Sequence, residues 1–249
     1  MMHNPSPSAN VRFVLVEPNH PGNVGSTARA LKTMGFSALA LVAPHCRLDD
    51  QARAMASGAD DVLAAVRIAE SLGEALGDCV FAVAATARPR ELSPEVFDAR
   101  GAASRLATAC LQGAVAQVFG NETSGLSNEQ IRQCDAVAHI PTNPEYSSLN
   151  LAAAVQVFAY ELRMALAPGI PAPAGETDAA ATRSEVEQLI AHAERALAEI
   201  GFHDPHSAKR LMPRLRRLAA RARLEREEIN ILRGMLNWAA RAARGPGTP

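Results

Sequence analysis

Three stretches of the sequence gather residues able to do chemistry, and each follows an apolar run of strand length. The first, EPNHPGNVGSTARALKTMG, comes after Val16. Its Gly22 and Gly25 permit tight backbone geometry, and the Asn23 side chain can both donate and accept hydrogen bonds. Arg29 falls one turn into a helix between Ala28 and Ala30. A guanidinium among small neighbours near a helix start can reach a phosphate or a reacting hydroxyl; the same pattern also serves an exposed helical arginine in a salt bridge. The second stretch, GNETSGLSNEQI after Phe119, brackets Glu122 between Gly120 and Gly125. Glu122 reads either as a functional carboxylate or as one that caps backbone donors in a turn. Ser127 and Gln130 have the spacing of a capping box opening a short helix. The third, IPTNPEYSSLNLAAAVQ from Ile140, has its path fixed by two prolines. Ser147 or Ser148 is expected to cap the long helix that follows, and Ser148 and Asn150 taken singly read as caps. The unpaired N–H groups of such a helix start can meet the oxygens or nitrogens of a ligand.

The elements that must carry these loops are legible as alternating apolar runs and helical patterns. Strands are predicted at 11–16, 38–42, 79–84, 114–119 and 136–140. Their near-continuous apolarity is that of strands buried on both faces, hence a parallel sheet covered by helices. Helices are predicted at 26–34, closed by Gly35, near 51–57, at 94–109 and at 149–166, the last with Leu151, Val155, Phe158 and Leu162 on one face. This makes an α/β domain over 1–167, where ligand sites lie at the carboxyl ends of strands. Residues 168–182, rich in Pro, Gly and Ala, read as a linker. Helical patterns then cover 184–200, 208–223 and 226–243 in an extension spanning 183–249. In the second of these, Pro213 is expected to mark the start of regular helix. The terminal RGPGTP and the polar opening MMHNPSPSAN read as tails, the latter without the charged start and apolar stretch of a secretory signal. With no apolar run of membrane-spanning length, a cytoplasmic protein is expected.

The net charge of −1 hides an asymmetry. Residues 1–182 carry 12 Lys and Arg against 18 Asp and Glu, whereas 183–249 carry 13 against 8. The stretch 208–223 holds seven basic residues and no acidic one. A basic module meeting a polyanion fits this pattern, as does a merely solvated Arg-rich bundle. Several chemistries lack their signatures. There is no G-x-G-x-x-G after the first strand, no P-loop and no G-x-S-x-G elbow. His203 and His206 have no further ligands nearby and read as a polar turn, so no metal is expected. Cys46, Cys79, Cys110 and Cys134 have no paired spacing, which disfavours a disulfide scaffold.

Together and in this order, the three stretches resemble the motifs of the SPOUT family of RNA methyltransferases. More narrowly, they are similar to the bacterial tRNA (cytidine/uridine-32)-2′-O-methyltransferase group of its TrmH-like branch. VLVEPNHPGNVGSTARALKTMGF resembles motif one, VFGNETSGLSNEQ motif two and IPTNPEYSSLNLAAAVQVFAYELR motif three. RLRRLAARARLEREEINILRGML resembles that group's helical extension. The resemblance implies a SPOUT α/β knot, a deep trefoil around motifs two and three, and a homodimer in which motif one of one subunit faces the other's cofactor. It implies S-adenosyl-L-methionine as cofactor, on Ala85, Thr86 and Ala87, then Gly120, Ile140, Ser147, Ser148 and Leu149. It also implies tRNA as substrate, with Arg29 at the ribose and Asn23, Glu122, Ser148 and Asn150 positioning it. Arg88 and Arg90 become candidates for RNA phosphate contact, with Lys209, Arg210, Arg214, Arg216 and Arg217 on the basic helix. One departure stands out: the position before Glu122, often basic in this group, is Asn121. Because a guanidinium is a very poor proton acceptor, Arg29 is expected to orient the ribose and stabilise a developing alkoxide. The same motifs are compatible with a ribosomal RNA methyltransferase, or with a non-catalytic RNA-binding protein of the same fold.

Overall fold

The computed structural model describes residues 7–87, 95–166, 179–204 and 211–244. The predicted contacts of Arg88, Arg90, Lys209 and Arg210, the expected turn at His206 and most of the expected linker lie outside the described residues. The chain divides into two compact units, Met1–Ala174 and Gly175–Pro249.

In the first unit, β1 (Val11–Val16), β2 (Ala38–Val42), β3 (Arg67–Ala69), β4 (Cys79–Ala85), β5 (Val96–Asp98), β6 (Ala114–Phe119) and β7 (Ala136–His139) form one sheet ordered β3-β2-β1-β6-β4-β7-β5. Every pairing is parallel, with Val14 of β1 level with Ala40 on one side and Val118 on the other. The run of apolar residues in β1 follows from this central position. Phe13 and Leu15 enter one core and Val14 and Val16 the other, because side chains alternate across the sheet. Phe13, Phe119 and Phe158 form a ring cluster in the larger core, the first two stacked at 6.3 Å and the last pair edge-on at 5.6 Å. Strand order reverses direction between β1 and β4. Both strands flank β6, so the carboxyl ends of β4, β6 and β7 border one crevice of the kind that binds ligands in α/β sheets.

Helices α1 (Pro21–Met34), α2 (Asp50–Ala56), α5 (Ala99–Ala109) and α7 (Leu151–Ala165) contribute to the larger core. Of the shorter helices, α3 (Asp60–Ala64) joins them, and α4 (Leu72–Leu76) and α6 (Asn128–Arg132) pack against the other face. Helix α1 begins five residues before the predicted 26. Pro21 at its first turn carries a preset φ and needs no N–H there. It ends as expected at Gly35, whose φ of 80° and N–H bonds to Leu31 and Lys32 carbonyls close the last turn. Gly25 has a different task. A Cβ there would stand 2.0 Å from the Ala52 carbonyl oxygen, so α1 and α2 approach at a distance only glycine allows.

Two predicted boundaries are corrected. The helix expected from residue 94 starts at Ala99. Residues 96–98 form β5 instead, and Asp98 caps α5 by accepting from the Gly101 N–H at 2.7 Å. The cap of α7 is Asn150, not Ser147 or Ser148; its Oδ1 accepts from the N–H groups of Ala152 and Ala153. Elements β3, α3 and α4 escape prediction because three to five residues are too few to display a period.

The second unit consists of α8 (Arg183–Glu199), α9 (Leu211–Ala222) and α10 (Arg226–Ala243). Pro213 lies two residues inside the described part of α9 rather than at its start. Residues 179–182, read as linker, are tied to this unit. Ala181 donates to the Leu224 carbonyl, the Ala179 carbonyl accepts from Arg226, and Thr182 caps α8 in a capping box with Glu185. None of the four cysteines is in a disulfide. No helix of the described residues is long and apolar enough to cross a membrane.

The close approach at Gly25 has a measurable consequence. Gly25→Ala should lower the unfolding free energy by about 1–3 kcal/mol, the usual cost of overpacking. Denaturant titration of the two proteins checks this, and an unchanged midpoint would contradict the contact.

Candidate active site

The loops after β4, β6 and β7 converge at the carboxyl edge of the sheet around a cavity of about 420 Å³. Ala85, Thr86 and Ala87 line it from the first loop, Gly120 from the second, and Ile140, Ser147, Ser148 and Leu149 from the third. These are the eight positions that the family resemblance assigns to the cofactor. The wall is closed by Phe119, Asn121, Glu122 and Leu126, and by Leu151, Ala154 and Phe158 of α7. Thr86 is held to β7 by its N–H bond to the Ala138 carbonyl at 2.9 Å. Gly120 is required by space. An added Cβ would lie 2.2 Å from the Gly125 carbonyl carbon and 2.3 Å from the Leu126 nitrogen. The loop is therefore pinched shut at its neck, with Gly125 at φ +68° making the return and donating its N–H to the Asn121 carbonyl at 2.8 Å.

A hydrogen-bonded chain joins the three motifs beside this cavity. Glu122 accepts from the backbone N–H groups of Asn19 (2.9 Å) and His20 (3.2 Å) and from the Asn23 side-chain amide (2.9 Å). The Asn23 oxygen in turn accepts from the Asn150 amide at 3.0 Å. Asn150 thus caps α7 with its oxygen and reaches α1 with its nitrogen. Partial burial alone would raise the Glu122 pKa. The donors from Asn23, Asn19 and His20 more than offset it, and the carboxyl titrates below its ordinary value.

Sequence reasoning marks the residue next door as a departure but gives it no task. The Asn121 amide donates to the Glu17 carbonyl at 2.8 Å, and its oxygen accepts from Thr123 N–H at 2.8 Å. Glu17 itself has φ +51° and accepts from Gln130 through its side chain at 3.3 Å. Asparagine at 121 therefore fastens the second loop to the end of β1, a task for which a cation has the donors but not the acceptor. Nothing in the sequence signals this bond, because its acceptor is a main-chain carbonyl 104 residues away.

Arg29 stands apart from the cavity. It lies on the exposed side of α1, and its guanidinium has no ion-pair or hydrogen-bond partner among the described residues. Of the five expected catalytic residues, Asn23, Glu122 and Asn150 are bonded together, Ser148 lines the cavity and Arg29 faces solvent. In the second unit Arg214 and Arg217 are exposed and unpaired among the described residues, and Arg221, next along the helix, is likewise exposed. Arg216, also expected to meet RNA, is held by Glu187 at 3.1 Å. Among the described residues no group of three His, Cys, Asp or Glu could hold a metal ion.

A wholly parallel, doubly covered sheet with a loop-built pocket at its carboxyl edge defines an α/β protein of the ligand-binding kind. Residues 10–160 match the model of the SpoU rRNA Methylase family, and residues 184–248 match that of the tRNA methyltransferase TrmJ, C-terminal domain. The chain belongs to the SpoU methylase family and has its SPOUT α/β fold. It is 44% identical over 249 residues to the tRNA (cytidine/uridine/adenosine-2′-O-)-methyltransferase TrmJ of Pseudomonas aeruginosa (strain UCBPP-PA14), covering 94% of this chain and 95% of that one. Among solved structures, TrmJ from Z. mobilis ZM4 superposes with a TM-score of 0.77 at 33% identity, over 91% of this chain and 97% of that one. The SpoU methyltransferase AviRb from Streptomyces viridochromogenes, in complex with AdoMet, shares the fold at 24% identity and a TM-score of 0.51, over 64% and 58%.

The lowered pKa of Glu122 makes the network sensitive to acid. Its contribution to stability is fully present above the ordinary glutamate pKa, about 4.3, and disappears as pH falls through the lower folded value. The stability difference between the parent and Glu122→Gln should therefore shrink as pH drops below that range. Thermal melts across pH check it; a gap that stays constant would rule out the linkage.

Proposed function

We propose that this chain is a cytoplasmic S-adenosylmethionine-dependent methyltransferase. It acts as a homodimer on the ribose 2′ oxygen of tRNA, at cytidine or uridine 32 of the anticodon loop. The observation that carries the reading is the Glu122–Asn23–Asn150 chain set against a cavity whose lining contains all eight expected cofactor positions. The relatives' stated activities support the substrate. The match of residues 184–248 to the tRNA enzyme's C-terminal domain favours tRNA over ribosomal RNA. The trefoil knot belongs to the same reading, supported by the family's fold and by the one cavity that the second and third loops line together.

The residues present fit the cofactor. The cavity volume lies within the range of small-molecule sites, and Gly120 keeps free a space that any side chain would fill. When bound, S-adenosylmethionine supplies an electrophilic methyl group on a sulfonium. Ile140, Leu149 and Phe158 offer apolar surface, and Thr86, Ser147 and Ser148 offer hydroxyls, to hold it. The chain's own task is to present the 2′ hydroxyl in line with that methyl, which is worth far more than any proton transfer. Asn23, Asn150 and Glu122 fix the start of α1, and α1 carries Arg29 to the ribose of the substrate bound by the second subunit. There its guanidinium orients the sugar and an adjoining phosphate, and stabilises negative charge as it develops on the oxygen. The exposed arginines of α9 grip the tRNA backbone.

Two measurements test this. Arg29→Ala should abolish methyl transfer to tRNA while cofactor affinity, read by calorimetry, changes less than about threefold; parallel loss of both would refute the assigned role. Arg214→Ala/Arg217→Ala/Arg221→Ala should weaken tRNA binding and lower the slope of log K against log salt by about 2–3, roughly one unit for each phosphate no longer neutralised. An unaltered slope would remove α9 from the interface.

A further inference from the structure

Helix α10 carries two apolar seams, and the second unit uses one of them. Leu232, Leu236 and Ile229 pack with Leu189 of α8. On another side Ile231, Met235 and Trp238 are 55%, 62% and 73% exposed, and Ala242, one step further, is exposed as well. The steps between these four positions are four, three and four residues, the spacing of a coiled-coil seam. Gly234 lies beside them, and a Cβ added there meets nothing within 4 Å.

The charges of α10 indicate what covers this seam. Glu227 in the first turn and Arg241 in the last are exposed and without partners among the described residues, whereas Glu228 serves the N-cap and Arg244 pairs with Glu199. A helix that is acidic at one end, basic at the other and apolar between is complementary to itself turned end for end. With a twofold axis between residues 236 and 237, Met235 meets Trp238 of the second copy and Ile231 meets Ala242. The first contact sets a thioether against an aromatic ring, a favourable pairing, and Gly234 leaves room for the indole. The second sets a large side chain against a small one, as interdigitation requires. RNA is the poorer occupant, because the exposed, unpaired arginines gather on α9, whereas α10 offers Arg241 alone near this seam.

We infer that α10 pairs antiparallel with α10 of a second copy along Ile231, Met235, Trp238 and Ala242, joining the two C-terminal units of the dimer. The inference rests on the homodimer proposed above. A seam of four residues is small by itself, and the dimer supplies the high effective concentration that lets it close. It yields a paired basic module: two α9 helices held at a fixed separation rather than two independent arms.

The full-length protein tests this directly. In a Cys46→Ser background, Met235→Cys should give a covalent dimer with a short bis-maleimide cross-linker, and Cys46→Ser alone should not, since Cys79, Cys110 and Cys134 are buried. Adding Trp238→Asp should abolish that product. Trp238 is the chain's sole tryptophan, so the parent's emission should be blue-shifted and shielded from iodide, and Met235→Glu should return it to the solvent-exposed position. Light scattering on the same samples separates the two ideas. A dimer that yields no cross-link at 235 overturns the pairing and leaves the homodimer standing, and a monomer overturns both. Emission that shifts only when tRNA is added would place RNA on the seam and overturn the pairing as well.

Discussion

One carboxylate organises the site. The first N–H groups of a helix lack partners within it, and α1 has no side-chain cap of its own at His20. Glu122 meets that need from a loop about a hundred residues away, taking the Asn19 and His20 N–H groups together with the Asn23 amide. A negative group is favoured there by the helix dipole too. Because Glu122 also forms part of the cavity wall, the segment that shapes the pocket and the segment that starts α1 become one piece. Asn150 adds the third piece by capping α7 and bonding Asn23 at once. Without this carboxylate the cavity would still exist, but the second loop would no longer hold the start of α1 against it.

That registration matters because Arg29 projects from α1 into solvent. A free guanidinium on a rigid helix is an arm set at a fixed place. It does nothing to its own cavity, and it becomes useful only when another surface, protein or RNA, is brought against it. The close packing of α1 on α2 through Gly25 serves the same rigidity. So does the Asn121 bond to Glu17, which anchors the loop at its other end. The site is built for precision on the side that faces outward.

Much of this is readable from residue order, and the reason differs by level. The five longer strands declare themselves because a parallel strand covered on both faces must be apolar at nearly every position. β3 and β5 are edge strands of three residues, two of them exposed in each, so no such constraint marks them. The capping box of α6 and the Gly35 terminus of α1 are local rules and are obeyed. The cap of α7 is ambiguous in sequence because Ser147, Ser148 and Asn150 are all competent caps, and only the course of the loop after Pro144 selects among them. The cavity positions come from resemblance to a family, not from pattern. Asn19, His20 and Asn121 act through backbone atoms or toward them, and such roles leave no trace in residue type.

The charge asymmetry also acquires a structural cause. Three of the four carboxylates of α8 each hold an arginine from another part of the unit: Glu185 takes Arg226, Glu187 takes Arg216, and Glu199 takes Arg244. These exposed pairs add little stability one by one. Their effect is to sort the charge. Carboxylates of α8 are committed to arginines that also help to pack the bundle. Apart from Arg195 on α8 and Arg241 on α10, the uncompensated cations of the described helices gather on α9, at Arg214, Arg217 and Arg221, one or two turns apart and all solvent-facing. A solvated Arg-rich bundle with no partner would have no reason to segregate in this way; distributing pairs over all faces would lower its self-repulsion. Segregation keeps the repulsion and concentrates the field, which is favourable only where a polyanion comes to rest against it.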